Sequence, residues 1–282
     1  MAVLTIARQI GSGGEDVGHA VADLLHYEYV DRKRMLDDMR KAGKQWEEQA
    51  ARFDEAYPGV SERYEWAFRG FVALNQSSIL DNALKDNVVI IGRGGCFLLK
   101  GVPHTVCVRV TAPLEQRVRR IMDREGISDE TARWLVEKVD NDMKRAVYLI
   151  YGRDLADPAE YDMVFDTGMQ STDEITAILK QLLLDRDKVK DESAKAVLEL
   201  RALAARVKAA IATEPTFSIS VLDVEPKEEG LFQYGLVVRG IVHARDDIQR
   251  IGERARSIAG SVPVELQLHY RWYTRVGRQE FK

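Results

Sequence analysis

The chain opens with an apolar, β-branched run, Val3 to Ala7, that passes directly into Arg8-Gln9-Ile10-Gly11-Ser12-Gly13-Gly14 and then into a helical pattern. Val17, Val21, Leu24 and Leu25 recur at the spacing of one helix face over Glu15 to Leu25. A strand that turns through glycines into a helix places unpaired N–H groups and the positive end of the helix dipole at the edge of a sheet. Phosphate oxygens are the natural occupants of such a place. Gly11, Gly13 and Gly14 supply the backbone freedom for close approach, and Ser12 adds a hydroxyl. A purely structural turn is the other reading of these glycines. The position straight after the first strand favours phosphate.

The rest of the chain keeps alternating. Tyr27 to Asp31 reads as a strand ending in a carboxylate, and Arg32 to about Leu84 is polar and helix-rich, interrupted near Tyr57-Pro58-Gly59. Val88 to Ile91 and Thr105 to Val110 read as strands, Pro113 to Arg124 and Asp129 to Tyr151 as helices. A strand at Tyr161 to Phe165 and a helix from Thr172 to Leu184 follow. Strands and helices in alternation predict a parallel sheet with helices on both faces. The charged stretch Asp185 to Lys195 reads as a linker or an exposed helical turn. Beyond it come a helix to about Ala212, strands at Phe217 to Val224 and Phe232 to His243, a helix at Asp246 to Ala259 and a strand at Pro263 to Trp272.

Composition narrows the classes. At 282 residues two domains are expected, and 45% apolar with 30% charged residues describes a globular chain. A net charge of −4, from 41 basic and 45 acidic residues, gives no footprint for nucleic acid. Cys96 and Cys107 are spaced for neither a disulfide scaffold nor a zinc site, so a cytoplasmic location is expected. No run is apolar enough for a signal peptide or a membrane span.

The segment Ala7 to Gly18 (ARQIGSGGEDVG) resembles the opening signature of the cytidylate kinase-like family of bacterial P-loop proteins. Three further segments agree: Tyr29-Val30-Asp31-Arg32; Val89-Ile90-Ile91-Gly92-Arg93-Gly94 with Arg117, Arg119 and Arg120 downstream; and Asp142, Arg145, Tyr148 and Tyr151 leading into Asp157 to Asp162. The resemblance covers residues 1–184 and implies a P-loop NTPase-type fold, with ATP and Mg²⁺ as cofactors and a nucleotide as substrate. The usual P-loop ends in Gly-Lys-[Ser/Thr], where lysine meets the phosphates and the hydroxyl meets Mg²⁺. Here the lysine position falls on Gly14 and the hydroxyl position on Glu15, and this lysine-free form is typical of the family.

The remaining roles rest on position beside the loop and at the strand ends, and for Lys138, Asp142 and Arg145 on the resemblance. Gly11, Ser12, Gly13, Gly14 and Glu15 would bind ATP, with Ser12 and Asp31 as Mg²⁺ contacts. Arg8, Arg93 and Arg145 would neutralise the transferred phosphoryl group in place of the lysine. Asp31, Arg32, Lys138 and Asp142 would meet the acceptor nucleotide, and one of Arg117, Arg119 and Arg120 would face the phosphates. Asp31 reads equally as a helix N-cap, and Asp142 with Arg145 as an exposed ion pair.

Residues 192–282 form the second expected domain. Val237-Val238-Arg239-Gly240-Ile241-Val242, then Asp246, Ala255, Ala259-Gly260-Ser261-Val262 and Val264 to Leu268, resemble a BON domain, a small α/β unit. Ala209 to Pro215 fits the end of that family's first helix, and Gly240 reads also as a bulge. A regulatory or interaction role, toward a small ligand or a protein partner, is what this resemblance implies. The expected activity is phosphoryl transfer from Mg·ATP to a cytidylate-like nucleotide. A nucleotide-binding regulator with little turnover, acting through the BON-like domain, is the alternative. A structural interaction protein is a third.

Overall fold

The computed structural model describes residues 2–55, 65–92, 94–189, 191–229 and 232–272. Backbone contacts divide the chain into two compact units: Met1–Tyr57 with Ser78–Glu199, and Pro58–Ser77 with Leu200–Lys282.

The first unit is a parallel five-stranded sheet. Strands β1 (Val3–Arg8), β2 (Glu28–Val30), β3 (Val88–Ile91), β4 (Thr105–Thr111) and β5 (Met163–Asp166) lie in the order β2-β3-β1-β4-β5. Central β1 pairs with β3 from Val3↔Val88 and with β4 from Val3↔Thr105. Val3, Leu4 and Ile6 are fully buried, which is why a run with no polar alternation makes a strand covered on both faces. Helices α1 (Gly14–Leu25) and α8 (Thr172–Lys188) cover one face. There Leu4, Ile6, Val17, Val21, Val108, Phe165, Ile175 and Leu179 make the main core. Each such side chain, fully buried, contributes about 1.5–3 kcal/mol.

Between these elements run α2 (Arg32–Ala42), α3 (Lys44–Glu55), α4 (Trp66–Ala83), the single turn α5 (Gly95–Leu98), α6 (Leu114–Glu125) and α7 (Asp129–Tyr151). Helix α7 spans the residues its pattern predicts. Ser128 caps its first turn through Thr131 N at 3.3 Å, and Gly152 ends it in the left-handed region at φ 64°. Two expectations shift. The expected strand at Tyr161 begins only at Met163, because Tyr161 turns inward and its hydroxyl donates to Leu155 O at 2.8 Å. The charged stretch is mostly helical: α8 continues to Lys188 and α9 (Glu192–Ala212) starts at Glu192. The expected break at Tyr57-Pro58-Gly59 lies outside the described residues.

The second unit is built on a three-stranded sheet, β6 (Ile219–Glu229), β7 (Phe232–Val242) and β8 (Val264–Tyr270), in that order. Strands β6 and β7 are antiparallel; β7 and β8 are parallel, joined by α10 (Asp246–Ala259). One sheet face, with Val224, Leu236, Val238, Val242 and Leu266, packs with Val207 and Ile211 of α9 and with Ile251 and Ala255 of α10. The first part of α4 belongs to this unit. Ala73 and Leu74 pack with Ala209, Ala212 and Leu222, and Arg69 donates to Ile219 O. Among the described residues no helix is long and apolar enough to cross a membrane.

Candidate nucleotide-phosphate site

The chain leaves β1 toward β2 on one side of the sheet and β4 toward β5 on the other, so the carboxyl ends of β1 and β4 flank a topological switch point. Open α/β sheets bind their ligands in this crevice. The glycine loop fills it.

Gly11 and Gly13 lie in the left-handed region at φ 71° and 78°, and α1 starts at Gly14 with no side-chain cap on its first turn. The loop carbonyls are pulled outward. Arg117 Nη1 donates to Ile10 O at 3.4 Å, Arg120 Nη1 to Gly11 O at 3.1 Å, and Thr167 Oγ1 to Ser12 O at 2.6 Å. Arg120 also donates to Thr167 Oγ1 at 2.9 Å, which closes a small network around the loop. Ser12 N donates to Gln9 O at 3.2 Å, and the remaining loop N–H groups are the ones a ligand would meet. Ser12 is 0% exposed and, among the described residues, its hydroxyl has no hydrogen-bond partner. A buried hydroxyl left alone is costly, which makes this one a candidate for a ligand contact.

Gly14, at the lysine position, has a steric reason to be glycine. A Cβ there would lie 2.7 Å from Arg8 Cβ and 3.2 Å from Val110 Cβ. The helix start packs too closely on β1 and β4 for any side chain, lysine included. Arg8 is the cation beside it, and its Nη2 pairs with Glu15 Oε1 at 3.1 Å. Arg93 lies outside the described residues.

Asp31 caps α2: its Oδ1 accepts from Arg34 N at 2.9 Å. Arg32 sits in the first turn of that helix. Asp31 follows β2, which is two strands from β1. Asp16 is nearer the loop, with Oδ2 at 3.6 Å from where a Cβ on Gly13 would stand.

Helix α7 crosses this end of the sheet with its Asp140–Tyr151 face inward. Asp140 Oδ2 takes Arg117 Nη1 at 2.7 Å and Gln9 Nε2 at 3.4 Å, and Tyr151 stacks on Phe97 at 5.3 Å between centroids. By the helical period of 100° per residue, Lys138, Asp142 and Arg145 fall on the opposite face. Asp142 pairs with Lys138 at 2.9 Å rather than with Arg145, and Arg145 is exposed. The trio therefore shares a face with itself and not with the loop.

Sequence reasoning left open which arginine of α6 serves the loop. Arg117 and Arg120 hold its backbone, while Arg119 is exposed. Asp140 and Thr167 gave no signal, since their partners stand 23 and 155 residues away. Among the described residues no cluster of three or more His, Cys, Asp or Glu side chains could hold a metal.

A model of the cytidylate kinase-like family matches residues 3–169. The cytidylate kinase of Pyrococcus furiosus is 24% identical over 193 residues, covering 68% of this chain and 94% of its own. That of Methanopyrus kandleri is 27% identical over 196 residues, covering 66% and 96%. Among solved structures, an uncharacterized protein from Eubacterium ventriosum aligns with a TM-score of 0.51 at 18% identity, over 65% of this chain and 98% of that one. That last likeness is one of fold. With its family model matched over more than half its length and its loop built as described, the chain belongs to the cytidylate kinase-like family.

Proposed function

We propose that the first unit is an ATP-dependent nucleoside monophosphate kinase, transferring a phosphoryl group from Mg·ATP to a cytidylate-like nucleotide. One observation carries this reading: the buried, partnerless Ser12 hydroxyl inside a loop whose carbonyls are tied back by Arg117, Arg120 and Thr167. The first-turn N–H groups of α1 would cradle the phosphates, and Ser12 Oγ with Asp16 would hold Mg²⁺. When bound, the ion supplies charge neutralisation at the phosphate oxygens. Arg8 would turn from Glu15 to the phosphates, joined by Arg93. Arg145, with Lys138 and Asp142, would reach the nucleotides only after α7 turns or closes. Asp31 and Arg32 stand at the sheet end where an acceptor would bind. The test is a chromatographic screen of the common nucleoside monophosphates with ATP, with and without Mg²⁺. Mg²⁺-dependent diphosphate from a pyrimidine acceptor is expected; tight ATP binding with no product from any acceptor overturns it.

A specific observation favours a second reading, a nucleotide-binding regulator with little turnover. The lysine position is sterically closed and Arg8 is neutralised by Glu15. Its output would pass through the second unit, for which we propose a BON-like interaction role. The order α9-β6-β7-α10-β8 supports that likeness. A shallow cleft of about 540 Å³ on its polar sheet face, lined by Arg201, Lys227, Arg239, Glu225 and Glu265, would suit a small charged ligand. Both cysteines are free and buried, in keeping with a reducing cytoplasm.

A further inference from the structure

The two edges of the small sheet differ. Strand β6 carries Pro226 and Lys227 and two register shifts, at Ile219/Val221 and Lys227/Glu228. These are the devices that keep an edge from pairing. Strand β8 has none: it runs Val264–Tyr270 without proline, lysine or bulge, in unbroken register with β7. Among the described residues β8 has a strand neighbour on one side only.

The ladder fixes which groups face the open side. Leu236 N donates to Pro263 O at 2.8 Å and Arg271 N to Val242 O at 2.9 Å. In a parallel pair this alternation puts the backbone groups of Glu265, Gln267 and His269 toward β7. The N–H and C=O of Val264, Leu266, Leu268 and Tyr270 therefore point outward.

We propose that β8 is a homodimer edge, pairing antiparallel with β8 of a second copy about a two-fold axis through Gln267. This is the register in which the strand complements itself. Leu266 would face Leu268 of the second copy and Val264 its Tyr270, as hydrogen-bonded pairs built from the outward backbone groups. Those side chains share the sheet face that packs on α10, so the apolar layer continues across the axis. On the other face Glu265 would stand opposite His269, an acidic group against a basic one, twice by symmetry. His269 is exposed. Lys227 holds Glu265 Oε2 at 2.8 Å from β6 and Gln267 Nε2 donates to its Oε1 at 2.7 Å, so the imidazole of the second copy would join this carboxylate through its remaining lone pairs. A slip to pair Glu265 with Gln267 would lose this match.

The measurement is sedimentation equilibrium of the full chain over a wide concentration range. Twice the 31.9 kDa chain mass is expected. His269→Glu sets like charges opposite each other and should weaken the dimer about tenfold. Leu268→Pro removes an outward N–H without touching the bonds to β7, and should leave a folded monomer by circular dichroism. Gln267→Cys places a thiol on the axis and should cross-link to its own copy under mild oxidation, while Arg239→Cys, on the next strand, should not. This arm does not depend on weakening anything. A monomer at all concentrations overturns the proposal, as does a dimer that persists in Leu268→Pro or fails to cross-link through position 267.

Discussion

The glycine loop and the outer face of α7 were both expected to handle phosphate, and they are built in opposite ways. Around the loop every anchor is in place: Arg117, Arg120 and Thr167 each hold a backbone carbonyl, and Asp140 holds Arg117. On α7, Lys138 and Asp142 hold each other and no further partner among the described residues, and Arg145 stands exposed. Preorganised dipoles act on a ligand at no reorganisation cost, whereas groups that must be carried in act only after a motion. On the proposed reading, binding would use groups already in place, whereas transfer would require movement of α7.

The largest effect should come from removing the loop's strut. Arg117 is 5% exposed and donates to Ala112 O at 3.0 Å as well as to Ile10 O and Asp140. Arg117→Ala strands Asp140 and frees the loop, so stability should fall by about 3 kcal/mol. Denaturant unfolding reads this directly; a loss under about 1 kcal/mol would mean the loop is held by other contacts. Next comes Gly14→Ala. Its methyl would press on Arg8 and Val110, an overpacking that costs about 1–3 kcal/mol and shifts the first turn of α1. ATP affinity, by calorimetric titration, should fall about tenfold or more; unchanged affinity would separate the loop from the ligand.

These two positions show what the sequence discloses. The strands were legible because β1, β3 and β4 are apolar β-branched runs that no other environment would tolerate, and α7 because its caps and period agree. The lysine-free loop was legible as a pattern. Its cause was not, because Val110 meets Gly14 across the fold from nearly a hundred residues away. The same holds for Asp140 under the loop, and for Ala73 and Leu74 of α4, which join the second unit though they lie far from it in the chain. Short apolar patterns record local burial; they do not record which distant polar atom completes a network.

On α7 the expected effects are smaller and fall on rate. Arg145→Ala should change stability by less than about 0.5 kcal/mol, since its side chain is exposed. It should lower turnover about tenfold, or about 1.4 kcal/mol, if α7 brings it to the phosphates. Normal kinetics would assign α7 no part in transfer. The Lys138–Asp142 pair is partly exposed, so Lys138→Ala should cost at most about 0.5 kcal/mol of stability.

The central claim is that the glycine loop is a ready phosphate site, and Ser12→Ala tests it most directly. Removing a buried hydroxyl with no protein partner should leave the unliganded protein as stable as before, or slightly more so. Wild type at a hundred times its dissociation constant for Mg·ATP should gain about 2.7 kcal/mol, seen as a melting temperature raised by several degrees. In Ser12→Ala at the same concentration most of that rise should vanish. Equal rises in the two proteins, or none in wild type with ATP or ADP, would contradict the account.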